Sequence, residues 1–94
     1  MSRIAYVNGR YLPQSEAAVN VEDRGYQFGD GIYEVVHLYG GRYVDEDRHL
    51  ARLERSLTEI RLPMPMSRAA LSTLLREVAR RNRGTEGLRY MQVT

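Results

Sequence analysis

The stretch from Glu22 to Val36, with the sequence EDRGYQFGDGIYEVV, constrains the fold more than any other part of the chain. Its glycines, Gly25, Gly29 and Gly31, have a spacing that suits neither a regular helix nor a regular strand. The backbone therefore needs a positive φ, or the close approach of another group, at several of these positions. The following residues, 32–39, are rich in β-branched and aromatic side chains and predict a strand. We expect this bend and strand to form the centre of the domain.

The predicted strand has two different faces, because side chains alternate along an extended chain. One face carries Tyr33, Val35, His37 and Tyr39, and the other carries Glu34, Val36 and Leu38. Since neither face is cleanly polar, we expect the strand to be covered on both sides. The face with two phenols and an imidazole could line a ligand site. Composition alone favours the simpler alternative, a core strand whose tyrosine hydroxyls reach its rim.

Alternating apolar residues and turn signals predict the other extended segments. They are a hairpin of residues 4–7 and 10–12 around Asn8-Gly9, an extended piece over 17–21, a return strand over 42–44 after Gly40-Gly41, and a closing strand over 88–94.

From Asp45 the apolar period changes from two to three and four, which predicts two amphipathic helices separated by Pro63 and Pro65. The first buries Leu50, Leu53, Leu57 and Ile60, and begins with three acidic residues that favour the positive end of a helix dipole. The second begins at Ser67 as N-cap, buries Leu71, Leu74, Leu75 and Val78, and ends within 80–84.

Length and composition set limits on the function. The 94 residues make one small domain, and because the sequence stops within a predicted strand, we expect it to be the first part of a longer, two-domain chain. No cysteine is present, so disulfides and thiolate metal sites are excluded. With no signal-like or membrane-spanning run, we expect a cytoplasmic protein with no membrane partner. The net charge of +2 does not demand a polyanionic partner.

All 14 basic residues are arginine. Without lysine, the chain has no side-chain amine that could form a Schiff base with a carbonyl compound. On the first predicted helix, Arg48, Arg52 and Arg55 form a basic ridge suited to a phosphate or carboxylate. Periodicity alone favours a solvated face paired with Glu59 and other acidic neighbours. His49 beside the leucine stripe is predicted to be a packed core histidine.

Several other kinds of site are disfavoured by the sequence. The glycine cluster leads into a strand, whereas a nucleotide-binding loop should open a helix. No His spacing indicates zinc, so no metal site is expected, and no visible motif positions a Ser, His and Asp triad.

Three motifs in order resemble the N-terminal domain of class IV pyridoxal-phosphate aminotransferases, most of all the D-amino acid transaminases. They are DRGYQFGDGIYEVV over 23–36, HLARL over 49–53 and YMQVT over 90–94. The resemblance implies an α+β fold, in which a curved, largely antiparallel sheet is covered by two helices. Branched-chain aminotransferases and aminodeoxychorismate lyases share the DRG and GDG pieces and remain alternatives.

The resemblance also implies roles for residues. Arg52 would hold the phosphate of pyridoxal 5'-phosphate, Tyr33 would grip the substrate carboxylate, and Val35 and Phe28 would shape the pocket. We expect Arg52 and Tyr33 to share one cleft. The Schiff-base lysine is expected downstream of Thr94, so no catalytic residue is expected in these 94 residues. The implied activity is transamination of D-amino acids to 2-oxo acids by a homodimer.

A different class of function also remains open. An arginine-rich module could bind RNA or another polyanion through the ridge on the first helix and through Arg80, Arg81 and Arg83. The modest net charge counts against this alternative, and so we expect no nucleic-acid partner. A structural or regulatory fragment that kept the fold without the activity is a third possibility.

Overall fold

The computed structural model describes residues 3–94, which form two antiparallel sheets, two long helices and one short helix. In chain order the elements are β1 (Ile4–Val7), β2 (Arg10–Pro13), α1 (Arg24–Phe28), β3 (Ile32–Tyr39), β4 (Arg42–Tyr43), α2 (Glu46–Glu59), α3 (Arg68–Arg81) and β5 (Gly87–Val93). The β1–β2 hairpin is one sheet, and the other has the order β4-β3-β5. The predicted α+β fold with two covering helices is confirmed.

The two predicted hairpins are present. Asn8 and Gly9 both have positive φ, 48° and 92°, as a tight turn between β1 and β2 requires, and Val7 pairs with Arg10. Gly40 and Gly41 likewise have positive φ and join β3 to β4. The piece over 17–21, predicted to be extended, follows a turn of 3₁₀ helix over 14–16. Its first residue, Ala17, is in the extended conformation, but within residues 3–94 the piece pairs with no strand.

The glycine-rich stretch folds back onto the end of β5. The Asp23 carboxylate accepts a hydrogen bond of 2.8 Å from the Gly25 N–H and so begins α1, a short helix that the sequence did not predict. Gly29 ends this helix in the left-handed conformation, with φ 69°. The Thr94 hydroxyl donates to the same Asp23 carboxylate at 2.8 Å. This contact ties two separate motifs of the sequence together.

The core lies between the two long helices and one face of the β4-β3-β5 sheet. Its buried members are Val36, Leu38, Leu50, Leu53, Leu57, Leu71 and Leu75. The prediction that Ile60 is buried is wrong, since α2 ends one residue before it and its side chain is 44% exposed. Ser67 caps α3 as predicted, accepting a hydrogen bond from the Ala70 N–H. No helix among residues 3–94 is long and apolar enough to cross a membrane.

The opposite face of the sheet is open, so the prediction that β3 is covered on both sides is wrong. Both long helices pack on the side of Val36 and Leu38, and nothing else within residues 3–94 forms a covering layer over the alternate side chains of β3 and β5. We call these side chains the open face; it includes Tyr33, Val35, His37, Tyr39, Leu88, Tyr90 and Gln92.

We predict that Gly31→Ala destabilises the fold by about 1–3 kcal/mol, because overpacking at a rigid contact costs this much. A Cβ at Gly31 would lie 2.8 Å from the Val93 carbonyl oxygen, a backbone atom that cannot turn away. Gly84→Ala is the matched control, since its Cβ would meet its nearest neighbour, a side-chain nitrogen of Arg89, at an ordinary 3.5 Å. Urea unfolding of both variants checks the prediction; equal stabilities would contradict it.

Candidate functional site

A buried carboxylate lies at the centre of the candidate site. Glu34 is 4% exposed, on the face of β3 that it shares with the apolar Val36 and Leu38. A buried charge must be paired and hydrogen-bonded to be tolerated. Arg52 donates from Nε to Glu34 Oε2 at 2.7 Å and from Nη2 to Oε1 at 2.8 Å, and His49 Nδ1 lies 2.7 Å from Oε1. We call these three residues the Glu34 cluster.

The leucine stripe of α2 explains why these side chains meet. Leu50 and Leu53 are buried against the sheet side of the helix. His49 and Arg52 are each one position before a buried leucine and three residues apart, so they lie together on the flank of the stripe, one helical turn apart. Packing the stripe on β3 thus brings the imidazole and the guanidinium over the buried carboxylate.

The charges of the cluster reinforce one another. The hydrogen bonds from Arg52 hold the pKa of Glu34 below its ordinary value of 4.5; burial acts in the opposite direction, and the bond from His49 lowers the pKa further. The hydrogen bonds that Arg52 donates to Glu34 in turn raise the pKa of Arg52. Glu34 is therefore ionised at neutral pH and can only accept hydrogen bonds, which means that His49 Nδ1 carries the proton between them.

Arg52 also faces solvent, since its side chain is 56% exposed. Beside it lies a shallow, open depression of about 400 Å³ on the outer flank of α2, which we call the basic depression. It is lined by Asp45, Arg48, His49, Ala51, Arg52 and Arg55. Within residues 3–94, no carboxylate lies within 4.0 Å of the Arg48 or Arg55 guanidinium, and the predicted pairing of the ridge with Glu59 is not observed. The depression has the chemistry of an anion site.

The other predicted site residues lie elsewhere. Tyr33 and Val35 are 64% and 37% exposed on the open face, and the Tyr33 ring stacks on Tyr90 with centroids 5.5 Å apart. Phe28 is exposed at the end of α1 under the Arg24 guanidinium, 4.8 Å from its ring centre. Tyr33 and Glu34, the partner of Arg52, thus point to opposite faces of β3. That Arg52 and Tyr33 share one cleft stays a prediction.

One edge of β3 connects the two faces. β5 pairs with β3 from Ile32 to Leu38, but β4 pairs only with Leu38 and Tyr39. In the described part of the chain, residues 32–36 of β3 therefore have no strand partner on the side away from β5. A ligand that contacts both Arg52 and Tyr33 would have to pass around this edge.

Sequence reasoning assigned no role to Glu34, although one signal could have found it. A glutamate that alternates with Val36 and Leu38 on a face predicted to be buried requires a basic partner. His49, predicted to be a packed core histidine, instead lies at the edge of the core, with its imidazole 21% exposed and bonded to a carboxylate.

The arginines at the end of α3 form a separate group that shares one carboxylate. Arg80 and Arg81 both bridge to Glu77, and these hydrogen bonds, that of Arg80 foremost, lower the pKa of Glu77 to about 2. Two of the positive charges that the polyanion-binding alternative requires are therefore engaged within the helix, which weakens that alternative.

The comparisons with known proteins agree with this geometry. A family model described as amino-transferase class IV matches residues 31–94, which include β3, the Glu34 cluster and β5. The chain belongs to the class IV aminotransferases. D-alanine aminotransferase of Bacillus licheniformis is 47% identical over 87 residues, a match that covers 93% of this chain and 31% of that protein. The chain thus spans about a third of the length of the curated relatives it matches.

Solved structures of branched-chain aminotransferases share the fold. The branched-chain amino acid aminotransferase from Escherichia coli superposes with a TM-score of 0.89 at 22% identity, covering 98% of this chain and 32% of that one. The enzyme of Thermoproteus uzoniensis with norvaline gives 0.81 at 27% identity, with the same coverage. The strands and helices of this class IV domain therefore have counterparts in aminotransferases of known structure.

The residues present fit one end of the cofactor that the family implies. Pyridoxal 5'-phosphate carries a dianionic phosphate, and the basic depression offers Arg52 together with Arg48, His49 and Arg55. The chain contains no lysine, so it offers no side-chain amine for the aldehyde end. The fit therefore extends to the phosphate alone.

We predict that the Glu34 cluster stabilises the fold most at neutral pH. Because the folded-state pKa of Glu34 lies below 4.5, the unfolded chain takes up this proton first as the pH falls. The stabilisation is then complete above about pH 5 and is lost progressively below it. Glu34→Gln should accordingly lower the free energy of unfolding more at pH 7 than at pH 3. Urea titrations at both pH values measure this, with the exposed Glu59→Gln as control; a pH-independent effect of Glu34→Gln would contradict it.

Proposed function

We propose that this chain is the N-terminal domain of a longer, two-domain enzyme that uses pyridoxal 5'-phosphate to convert D-amino acids to 2-oxo acids. The support for the D-amino acid substrate is the sequence identity with D-alanine aminotransferases, 47% for the Bacillus licheniformis enzyme, against 22% and 27% for the structurally similar branched-chain enzymes of Escherichia coli and Thermoproteus uzoniensis. As expectations from the same resemblance, we include a homodimeric assembly and a cytoplasmic location.

Phosphate binding is the role we propose for Arg52, and the observation that carries it is the paired, yet half-exposed, guanidinium of this residue. Its two contacts with Glu34 fix the side chain, while its 56% exposure leaves part of it open to an anion in the basic depression. Arginine is the side chain best shaped to bind phosphate through two hydrogen bonds at once.

On the open face, the proposed role of Tyr33 is to hold the substrate carboxylate through its hydroxyl group. The phenol is exposed and its ring is fixed by stacking on Tyr90, so the hydroxyl can donate to an oxygen without first being ordered. Val35, two residues along the same face, and Phe28 at the end of α1 are proposed to shape the apolar part of the pocket.

The bound cofactor would supply the aldehyde that accepts an amino group and the ring that withdraws electrons during its transfer. The residues of this chain hold and orient; none of them can replace the amine that the reaction requires. That amine is proposed to come from a lysine downstream of Thr94.

The substrate is tested in the full-length protein that contains this domain. We expect pyridoxal 5'-phosphate-dependent production of pyruvate from D-alanine, with a 2-oxo acid as acceptor, at a kcat/KM far above that for L-leucine or L-valine. A preference for the branched-chain L-amino acids would contradict the D-amino acid proposal and would instead make the enzyme a branched-chain aminotransferase.

We predict that Arg52→Ala weakens retention of pyridoxal 5'-phosphate about tenfold to a hundredfold in the full-length protein, since it removes charge-assisted hydrogen bonds to the phosphate. Arg48→Ala, one turn away in the same depression but without a bond to Glu34, should have a much smaller effect. Equilibrium dialysis of both variants gives the dissociation constants; equal losses would show that the depression acts only through its total charge.

A further inference from the structure

We propose that Glu34 is a positioning residue for the cofactor phosphate, because it fixes the direction in which Arg52 presents its guanidinium. The inference rests on the proposed phosphate-binding role of Arg52 and assigns to a buried carboxylate the task of orienting it. Glu34 itself does not touch the phosphate.

Glu34 occupies two of the five N–H donors of the Arg52 guanidinium. A guanidinium has five N–H groups in a rigid plane. Glu34 accepts two of them, one from Nε and one from Nη2, along a single edge of that plane. The remaining three belong to Nη1 and to the second hydrogen of Nη2, so they lie on the other edges. An anion that meets Arg52 must therefore bind the edge formed by Nη1 and Nη2.

Burial and hydrogen bonds hold the Glu34 carboxylate in place. Its carboxylate is 4% exposed on an eight-residue strand, and three hydrogen bonds shorter than 3 Å fix the orientation of its oxygens. His49 holds Oε1 from the same helix that carries Arg52. A long, half-exposed arginine would otherwise lose rotamer freedom on binding a ligand. Held by Glu34, it is ordered beforehand.

A carboxylate next to an anion site would reduce attraction if charge alone decided binding. The two other arginines of the basic depression, Arg48 and Arg55, supply positive charge that no described carboxylate neutralises within 4.0 Å. Charge and direction therefore come from different residues. Arg48 and Arg55 attract the phosphate, and the Arg52 edge selected by Glu34 receives it.

The test uses the full-length protein and compares two ligands, pyridoxal 5'-phosphate and pyridoxal, which lacks the phosphate. Residues that orient a metal ligand change affinity by about 10- to 100-fold when mutated. By analogy, Glu34→Gln should raise the dissociation constant of pyridoxal 5'-phosphate at least about tenfold and that of pyridoxal less than about twofold. Glu54→Gln is the matched control, because Glu54 also pairs with an arginine, Arg68, but lies outside the depression; it should change neither constant.

A double-mutant cycle shows whether Glu34 acts through Arg52. In an Arg52→Ala background, Glu34→Gln should change the affinity for pyridoxal 5'-phosphate less than about twofold, because the group that it orients is already absent. If Glu34→Gln reduced the affinity for pyridoxal 5'-phosphate by the same factor in both backgrounds, the proposal would be overturned. Equal reductions of the affinities for pyridoxal 5'-phosphate and pyridoxal would overturn it as well. If Glu34→Gln does not fold, Glu34→Asp keeps the charge but shortens the side chain, and an unchanged affinity in that variant would overturn the proposal as well.

The outcomes also separate this inference from the proposed function. If Arg52→Ala weakens binding of pyridoxal 5'-phosphate while Glu34→Gln does not, Arg52 binds the phosphate without being positioned, and only the inference fails. If the unmodified protein binds no pyridoxal 5'-phosphate, the proposed function fails and the inference fails with it.

Discussion

A carboxylate buried in an apolar sheet face must be paired, and the packing of this domain follows from that requirement. Glu34 is held by Arg52 and His49, which lie 18 and 15 residues further along the chain. The leucine stripe of α2 supplies the hydrophobic free energy for docking the helix on β3, but apolar contacts are not directional. The hydrogen bonds of the Glu34 cluster fix how the helix sits along the strand.

The same cluster links the packing of the domain to its chemistry. A guanidinium that stabilises the fold by one edge can bind an anion by another, so in the proposed function Arg52 serves both purposes without a change of conformation. The open face of the sheet, in contrast to the Glu34 cluster, carries exposed aromatic and apolar side chains. It carries the stacked rings of Tyr33 and Tyr90, on the side of β3 opposite Glu34. The unpaired edge of residues 32–36 is where a ligand could reach both sides.

Local signals explain which parts of the fold were predictable from the sequence. Asn8-Gly9 requires positive φ at consecutive residues, and the leucines of α2 repeat at a helical spacing, so both structures follow from neighbouring residues. The short helix α1 was missed because it spans only five residues and one of them, Gly25, disfavours a helix. Whether β3 is covered on one face or two depends on where distant helices pack, which alternation along the strand cannot reveal.

In the candidate site, too, features set by local spacing were predictable from the sequence, and contacts between distant segments were not. A helical spacing of three and four residues was enough to bring Arg48, Arg52 and Arg55 together as a possible anion site. Contacts between distant segments were not accessible, and therefore the pairing of Arg52 with Glu34 came only from the structure. A glutamate among apolar residues on one strand face was the available signal for this pairing.

The most direct test of the central claim is a crystal structure of the full-length protein with inorganic phosphate or pyridoxal 5'-phosphate bound. We expect the phosphate oxygens on the Nη1 and Nη2 edge of Arg52, with the Nε edge still bonded to Glu34 as it is at 2.7 Å here. A phosphate bound away from α2, or one that displaces Glu34 from Arg52, would contradict the account.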